Sequence, residues 1–275
     1  RRPLTAKTRV RFPYWLLTEG NQNMFLVAFL FMITNGILGG FTMIIDNVYV
    51  FTPDKAFVKG GIILDGDKIR QVYEEKDAPQ LSGDVMDGKG CYAIPGLIDL
   101  HFHGCKGDDF CDGDKDAIGR IAEYEASVGV TAIAPATMLT GRGTGADLHT
   151  AAEYKKETKD CRKADFLGIN MEGPFISPAK KGAQDARNIL PCNVEICDRF
   201  LKASEGLVKF IGIAPEESEH AAEFIREVHE RVNISLAHTN ADYDTAMEAA
   251  EQEQTMQSIC IMQCLRLRIV HQRRR

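Results

Sequence analysis

Residues 93–104 read Ala-Ile-Pro-Gly-Leu-Ile-Asp-Leu-His-Phe-His-Gly, an apolar run of strand length that ends in two histidines two residues apart. Because positions i and i+2 of a strand point to one side, His101 and His103 present their imidazoles to one place. Imidazole is the commonest metal-binding side chain, so the pair is a candidate part of a metal site. Pro95-Gly96 favours a turn before this strand, and Gly104 lets the backbone turn away after it. Taken alone, the pair is also consistent with two ordinary strand histidines.

Two later segments carry side chains that can complete such a site. Residues 165–175 read Asp-Phe-Leu-Gly-Ile-Asn-Met-Glu-Gly-Pro-Phe, a predicted strand that delivers Glu172 at its end. Residues 233–240 read Asn-Ile-Ser-Leu-Ala-His-Thr-Asn, a further predicted strand that ends in His238. A carboxylate combined with imidazoles suits zinc or a similar divalent ion. We therefore expect Glu172, His238 and the His-x-His pair to form one ligand set.

The chain alternates between predicted strands and helices after Ile94. The predicted strands cover residues 94–103, 130–138, 165–171, 208–214 and 233–238, and the predicted helices cover residues 116–128, 146–158, 194–205 and 218–231. Repeated βα units indicate a parallel sheet, and ligands at successive strand ends indicate a (β/α)8 TIM-type barrel with its active site at that face. Since only about five of the eight units are present, we expect an incomplete barrel over residues 94–252.

Residues 43–93 favour a small N-terminal β module. Strand patterns cover residues 44–50, 57–64 and 69–72, and a tight turn at 65–68 joins the last two. Residues 85–90 contain Asp-Gly-Lys-Gly and predict a further turn. Strands and hairpins without helices indicate a module separate from the βα region.

These segments resemble the amidohydrolase superfamily and, within it, the family of N-acetylglucosamine-6-phosphate deacetylases. The motifs are PGLIDLHFHG at 95–104, VTAIAPATMLT at 130–140, GINMEGPFISPAKKGAQ at 168–184, IAPE at 213–216 and AHTNADYDTAMEA at 237–249. The resemblance covers residues 43–252. It implies metal-dependent hydrolysis of the N-acetyl amide of N-acetylglucosamine 6-phosphate, which yields glucosamine 6-phosphate and acetate. It also implies that the N-terminal module is a β-sandwich completed by strands from the far C-terminus.

The resemblance assigns roles to particular residues. It implies one or two divalent ions, with Glu172 and His238 in the first site and His101 and His103 in a second site that Glu172 bridges. Zinc is the expected metal, with iron, cobalt or manganese as the other candidates. The family's acid and base is an aspartate from a late strand, which we expect to be missing here, so no catalytic residue of this chain is assigned.

The loop after Glu172 is implied to contact the sugar through Ala183 and Gln184. The family usually carries Gly-Ala-His at this place, whereas this chain carries Gly-Ala-Gln. Glutamine can hydrogen-bond a hydroxyl group but does not titrate near neutral pH. The loop is therefore expected to bind substrate without supplying a proton.

Both terminal segments differ from the rest of the chain. Residues 1–42 begin with Arg and contain an apolar run that is too short for a transmembrane helix, and we interpret them as a non-native upstream extension before a natural start at Met43. Residues 253–275 depart from the family pattern. A back-translation of residues 252–272, read from the third base of each codon, can give Gly-Ala-Asn-Asn-Ala-Ile-His-Leu-Tyr-Asn-Ala-Met, which matches the family. We therefore interpret this tail as out of frame and expect little deacetylase activity from the chain.

Composition restricts the partners and the compartment. The net charge of −6 argues against a nucleic-acid or anionic-membrane surface. The eight cysteines show no paired C-x-x-C spacing, which favours reduced thiols in a cytoplasmic protein. The expected partner is a small amino-sugar phosphate, with no nucleic acid and no membrane, and the resemblance implies a homodimer or a larger oligomer.

Two other functions remain open at this point. One is an amidohydrolase that acts on a cyclic amide, although such enzymes would carry a modified lysine where Glu172 stands. The other is a non-catalytic remnant or binding protein. The metal content of the purified protein would distinguish the non-catalytic protein from the two enzymes.

Overall fold

The computed structural model describes residues 42–65, 68–80, 83–138, 144–158 and 162–252. The predictions for residues 1–41 and 253–275 lie outside the described residues. The strands are β1 (Thr42–Phe51), β2 (Phe57–Asp65), β3 (Lys68–Glu74), β4 (Asp84–Ala93), β5 (Leu97–Asp99), β6 (Gly104–Cys105), β7 (Asp108–Asp109), β8 (Val130–Ile133), β9 (Asp165–Phe166), β10 (Ile169–Phe175), β11 (Val208–Ile213) and β12 (Asn233–Leu236). The helices are α1 (Lys115–Ser127), α2 (Thr144–Glu157), α3 (Val194–Ala203), α4 (Ala221–Val228) and α5 (Tyr243–Gln252).

The chain divides into two compact units. Among the described residues, the first unit lies within 42–98, 122–133 and 162–165. The second unit lies within 99–121, 134–158 and 166–252. All four residues predicted to bind metal belong to the second unit.

The first unit contains a four-stranded sheet in the order β3-β2-β1-β4. β1 pairs with β2 in antiparallel and with β4 in parallel orientation. The side chains buried on one face are Ile45, Val48, Val50, Ile62, Leu64 and Ala93. The apolar runs Ile44–Ile45 and Ile62–Leu64 are buried without a break, which explains why both strands form where the sequence predicts them.

The predicted turn at residues 85–90 is wrong, because these residues lie within β4. The register between β1 and β4 shifts between Asp46 and Val48, and Asn47 and Lys89 both have positive φ angles, of 54° and 52°. The Asp-Gly-Lys-Gly sequence therefore forms a bulge within a continuing strand. Bulges and turns use the same residue types, so composition alone does not separate them.

Tyr73 is buried with Ile44 and Ile63 in the same unit. Its hydroxyl donates a hydrogen bond to Oδ1 of Asp46 over 2.8 Å. Burial, together with this hydrogen bond and the charge of Asp46, raises the pKa of Tyr73 to about 12 from its ordinary 10.0. The folded protein therefore holds the phenolic proton at pH values where an unfolded chain releases it.

Replacing Tyr73 with Phe should remove a loss of stability at alkaline pH. The contribution of Tyr73 to the free energy of unfolding should be constant below the unfolded pKa of 10.0 and should fall as the pH rises through the folded pKa of about 12. The Tyr73→Phe variant should lack the decrease in the free energy of unfolding that comes from the ionisation of Tyr73. Thermal unfolding midpoints across the range measure it, with Tyr92→Phe, an exposed tyrosine on β4, as the control. An alkaline loss of equal size in both variants would contradict the prediction.

The second unit is built on parallel backbone segments. β10, β11 and β12 form a parallel sheet in that order. Residues 134–137 extend the hydrogen bonding beyond β10, because the amide of Asn170 donates to Pro135 over 2.9 Å. The amides of Ala134 and Ala136 in turn donate to Asp99 and Phe102, over 2.8 and 2.7 Å. Five successive chain segments therefore lie side by side in sequence order.

The helices between these segments follow their sequence signals. Asn193 caps α3, since its Oδ1 accepts a hydrogen bond from the amide of Ile196 over 2.9 Å. α4 buries Ala221, Phe224, Ile225 and Val228, a spacing that places one apolar stripe on the core. α4 is shorter than the predicted 218–231, because the amides of Arg231 and Val232 bond the Val228 carbonyl and close a turn.

Several bounds of the strand prediction are wrong. β8 ends at Ile133 rather than at residue 138, and β12 ends at Leu236, two residues before His238. The first strand ends at Asp99, so residues 101–103 follow it in a loop; the carboxylate of Asp99 accepts from the amide of His101 and turns the chain. The predicted strand at 165–171 is two strands, β9 and β10. Glu172 lies inside β10, which continues to Phe175.

One helix of the second unit was missed by the sequence prediction. α5 follows residues 237–242, and Oδ1 of Asp242 accepts a hydrogen bond from the amide of Thr245 over 2.9 Å. That acidic residue is a helix N-terminal signal that the sequence contains. None of the helices in the described ranges combines the length and the apolar character needed to cross a membrane.

Candidate metal centre

Three imidazoles surround the carboxylate of Glu172 in the second unit. Nε2 of His103 lies 3.1 Å from Oε2 of Glu172, and Nε2 of His101 lies 3.6 Å from Oε1. Nε2 of His238 makes a hydrogen bond with Oε1. The structure therefore brings together all four residues that the sequence predicts to bind metal.

The donor atoms fit a divalent ion. One ligand atom from each of His101, His103 and Glu172 lies within 4.8 Å of the others, a spacing at which a single ion can contact all three. Imidazole nitrogen and carboxylate oxygen are the ligands that zinc and similar metals accept. Glu172 is only 8% exposed and His238 is buried, whereas His101 and His103 are half-buried. The centre is thus reached from the side of the His-x-His pair.

Neighbouring backbone and side-chain groups orient the ligands. Nδ1 of His238 lies 2.8 Å from the carbonyl oxygen of Lys180, and the amide of Glu172 donates to Oγ1 of Thr137 over 3.2 Å. A carbonyl at Nδ1 holds that nitrogen protonated and leaves Nε2 facing the carboxylate, the arrangement in which histidines bind metals. Contacts at both ring nitrogens, Nδ1 with Lys180 and Nε2 with Glu172, therefore fix the position of His238.

Asn170 is a site residue that the sequence reasoning missed. Its Nδ2 donates to the carbonyl oxygen of Leu100 over 2.8 Å and lies 3.3 Å from Nδ1 of His101. Asn170 is buried on β10, two residues before Glu172. An amide in an otherwise apolar strand was the signal that could have found it, because a buried polar group needs hydrogen-bond partners.

The charges of the centre favour an ionised carboxylate. Burial would raise the pKa of Glu172, but hydrogen bonds from His103 and His238 outweigh it and hold that pKa well below its usual range. The hydrogen bond to Glu172 is the main cause that raises the pKa of both His103 and His238. Burial lowers the pKa of His101, which favours its neutral form. The ionised carboxylate of Glu172 and the neutral imidazole of His101 are both able to bind a divalent cation.

Gln184 lies against the metal ligands. Its side chain is 2% exposed, and Nε2 donates to Oε2 of Glu172 over 2.9 Å. Ala183, the other residue predicted to contact substrate, is exposed next to it. The structure thus places Gln184 at the centre, where it contacts the same carboxylate oxygen as His103.

Comparisons with known proteins agree with this geometry. The sequence model of the amidohydrolase family matches residues 92–260. N-acetylglucosamine-6-phosphate deacetylase of Bacillus subtilis is 30% identical over 213 residues, which are 76% of this chain and 54% of that protein. N-acetylgalactosamine-6-phosphate deacetylase of Escherichia coli O157:H7 is 28% identical over 160 residues, 56% of this chain and 41% of that one. The crystal structure of N-acetylglucosamine-6-phosphate deacetylase from Pasteurella multocida aligns with a TM-score of 0.68 at 27% identity, over 77% of this chain and 55% of that one.

The family match covers the whole centre, from His101 to His238, and more than half of the chain. The chain spans about half the length of the curated relatives it matches. The resemblance to amidohydrolases that the sequence motifs indicate is confirmed, and so is an α/β fold of that family. By its sequence, its fold and its cluster of histidines around Glu172, this chain belongs to the amidohydrolase family.

Proposed function

We propose that this chain carries the metal centre of a deacetylase that converts N-acetylglucosamine 6-phosphate into glucosamine 6-phosphate and acetate. The observation that carries the proposal is the convergence of His101, His103 and His238 on the carboxylate of Glu172. The names of the similar proteins, all acting on acetylated amino-sugar phosphates, support the substrate class. The five parallel segments support a place for residues 94–252 in a (β/α)8 barrel, and the β1–β4 sheet supports a β-sandwich module at residues 43–93.

The centre would hold one or two divalent ions, and we propose zinc, with iron, cobalt or manganese as the other candidates. A bound divalent ion supplies a Lewis acid that polarises an amide carbonyl and lowers the pKa of water. Glu172 and His238 would hold the first ion, and His101 and His103 the second. Oε1 of Glu172 faces His238 and His101, and Oε2 faces His103, so this carboxylate contacts the histidines proposed for both positions.

The residues of the chain have separate tasks in this proposal. Glu172 stays ionised because His103 and His238 lower its pKa, so it neutralises the ions without first losing a proton. The carbonyl of Lys180 orients His238 towards Glu172. Ala183 and Gln184 would contact the sugar, and the hydrogen bond from the Gln184 amide to Glu172 supports a role for this side chain at the centre. A neutral amide there orients the substrate but moves no proton.

Acetate release from N-acetylglucosamine 6-phosphate tests the function. The assay compares the zinc-loaded chain, its Glu172→Gln variant and a product in which the alternative reading frame continues beyond residue 252. We expect zinc-dependent release of acetate by the continuous-frame product, little release by the 275-residue chain, and none by the variant. A continuous-frame product that binds zinc through Glu172 and leaves the amide intact would contradict the proposal.

A further inference from the structure

His238 has an unusual backbone conformation. Its φ angle is +47°, in the left-handed region that residues other than glycine rarely adopt. A residue persists there only when surrounding contacts hold it, and such residues concentrate at functional sites. Because the direction of a side chain depends on the backbone that bears it, the φ angle of His238 decides whether Nε2 meets Glu172. The contacts that hold this conformation therefore bear on the metal centre.

The carboxylate of Glu216 holds the two residues that follow His238. Oγ1 of Thr239 donates to Oε2 of Glu216, and the amide of Asn240 donates to Oε1, each over 2.5 Å. Thr239 is buried, so its hydroxyl needs this partner. Both oxygens of one carboxylate thus fix the chain immediately after the strained residue.

A second contact holds the carbonyl side of His238. The amide of Ser177 donates to the carbonyl oxygen of His238 over 3.0 Å. Ser177 is fully buried, and its hydroxyl donates to Oε1 of Glu217. Glu216 therefore contacts the two residues after His238, and Glu217 contacts Ser177, whose amide bonds the His238 carbonyl.

We infer that Glu216 is a positioning residue that holds His238 in its left-handed conformation and so aims Nε2 at the metal centre. The inference rests on the proposed role of His238 as a metal ligand. Glu216 contacts the residues after the ligand and none of the ligand atoms, so it acts through the backbone. Residues that orient metal ligands in this indirect way affect metal affinity strongly.

A carboxylate is the group that this position requires. Thr239 and Asn240 both present donors, and a carboxylate accepts at both oxygens. The Glu216→Gln substitution keeps the size of the side chain but replaces the anionic carboxylate with a neutral amide, which leaves a single oxygen to accept from Thr239 and Asn240. Glu216 is exposed, and the substitution therefore opens no cavity in the core. Glu219, an exposed carboxylate on the same segment, is the matched control as Glu219→Gln.

The experiment titrates Co²⁺ into the metal-free full-length chain and its two variants. We expect Glu216→Gln to raise the Co²⁺ dissociation constant by about 10- to 100-fold, the range for groups that orient metal ligands. The visible absorption of bound Co²⁺ should also change, because the ligand geometry changes. Glu219→Gln should leave both quantities unaltered. A Glu216→Gln variant with the parent's affinity and spectrum would overturn the inference, even if its thermal stability fell.

A measurement without metal keeps the inference separate from the proposed function. The ring resonances of His238 in the metal-free chain report its tautomer and its contact with Glu172. Glu216→Gln should shift them, and Glu219→Gln should not. If the parent binds no Co²⁺ but the His238 resonances shift, the metal centre fails and the positioning role stands. Resonances that are the same in parent and variant would overturn the positioning role.

Discussion

Replacing Glu172 with Ala should abolish metal binding at the centre. The carboxylate is the common neighbour of His101, His103 and His238, and it is the one anionic group among these four ligands. Substituting a group that merely orients a ligand weakens metal binding by about 10- to 100-fold, so removal of this ligand should cost more than about 100-fold. Metal content after dialysis against dilute chelator measures the effect.

The same substitution has a second readout in the metal-free protein. Since the hydrogen bond to Glu172 is the main cause that raises the pKa of His103 and of His238, both pKa values should fall in Glu172→Ala. Proton resonances of the imidazoles, followed against pH, measure this. Glu205→Ala is the control, because Glu205 is an exposed carboxylate whose ion pair with Lys156, at 2.6 Å, is remote in sequence from every ligand. A Glu172→Ala chain that keeps its metal would show that the ion binds elsewhere.

Replacing Phe175 with Ala should cause a large loss of stability in the second unit. Phe175 ends β10, is 1% exposed, and packs edge-on against Phe224 of α4 with ring centres 5.0 Å apart. Phe-to-Ala substitutions in a packed core cost about 3–5 kcal/mol, because the apolar burial is lost and a cavity remains. Urea unfolding curves give the difference in the free energy of unfolding.

An exposed apolar residue supplies the comparison for Phe175. Met247 lies on α5 and is 40% exposed, so Met247→Ala should change the free energy of unfolding by less than about 0.5 kcal/mol. Neither substitution removes a backbone hydrogen-bonding group, such as the Phe175 carbonyl that accepts from the amide of Ala214. The comparison therefore measures the loss of side-chain packing. Losses of similar, small size in the two variants would show that the β10–α4 contact contributes little.

The residues that bear chemistry could be predicted from the sequence because each follows or interrupts an apolar run. The His-x-His spacing, Glu172 within β10 and His238 just after β12 each lie beside an apolar run. The alternation of strands and helices from residue 94 onwards was equally readable, since burial of one face imposes a period on each element. These are local properties, and the structure retains all four ligands in one cluster.

The boundaries of strands and turns were predicted less well, because they depend on individual side-chain hydrogen bonds and on strand pairing. The carboxylate of Asp99 ends β5 by bonding the amide of His101, so the two histidines lie in a loop. The glycines at residues 88 and 90 allow a turn, yet pairing with β1 turns the segment into a bulge. The bulge does not follow from propensity, because it depends on which strand lies alongside.

The sequence by itself determined which side chains are candidate metal ligands and which segments carry them. Only the tertiary structure decided that Nε2 of His238 makes a hydrogen bond with Oε1 of Glu172, which is 66 positions away in the sequence. It also decided that Gln184 and His103 both contact Oε2 of Glu172. The tertiary structure also decided the contact of the Lys180 carbonyl with His238 and the contact of the Glu216 carboxylate with Thr239. Such contacts join residues far apart in the chain, and their distances are set by how strands and loops pack. No local pattern of hydrophobicity encodes that packing, whereas each candidate ligand can be recognised from the apolar run beside it.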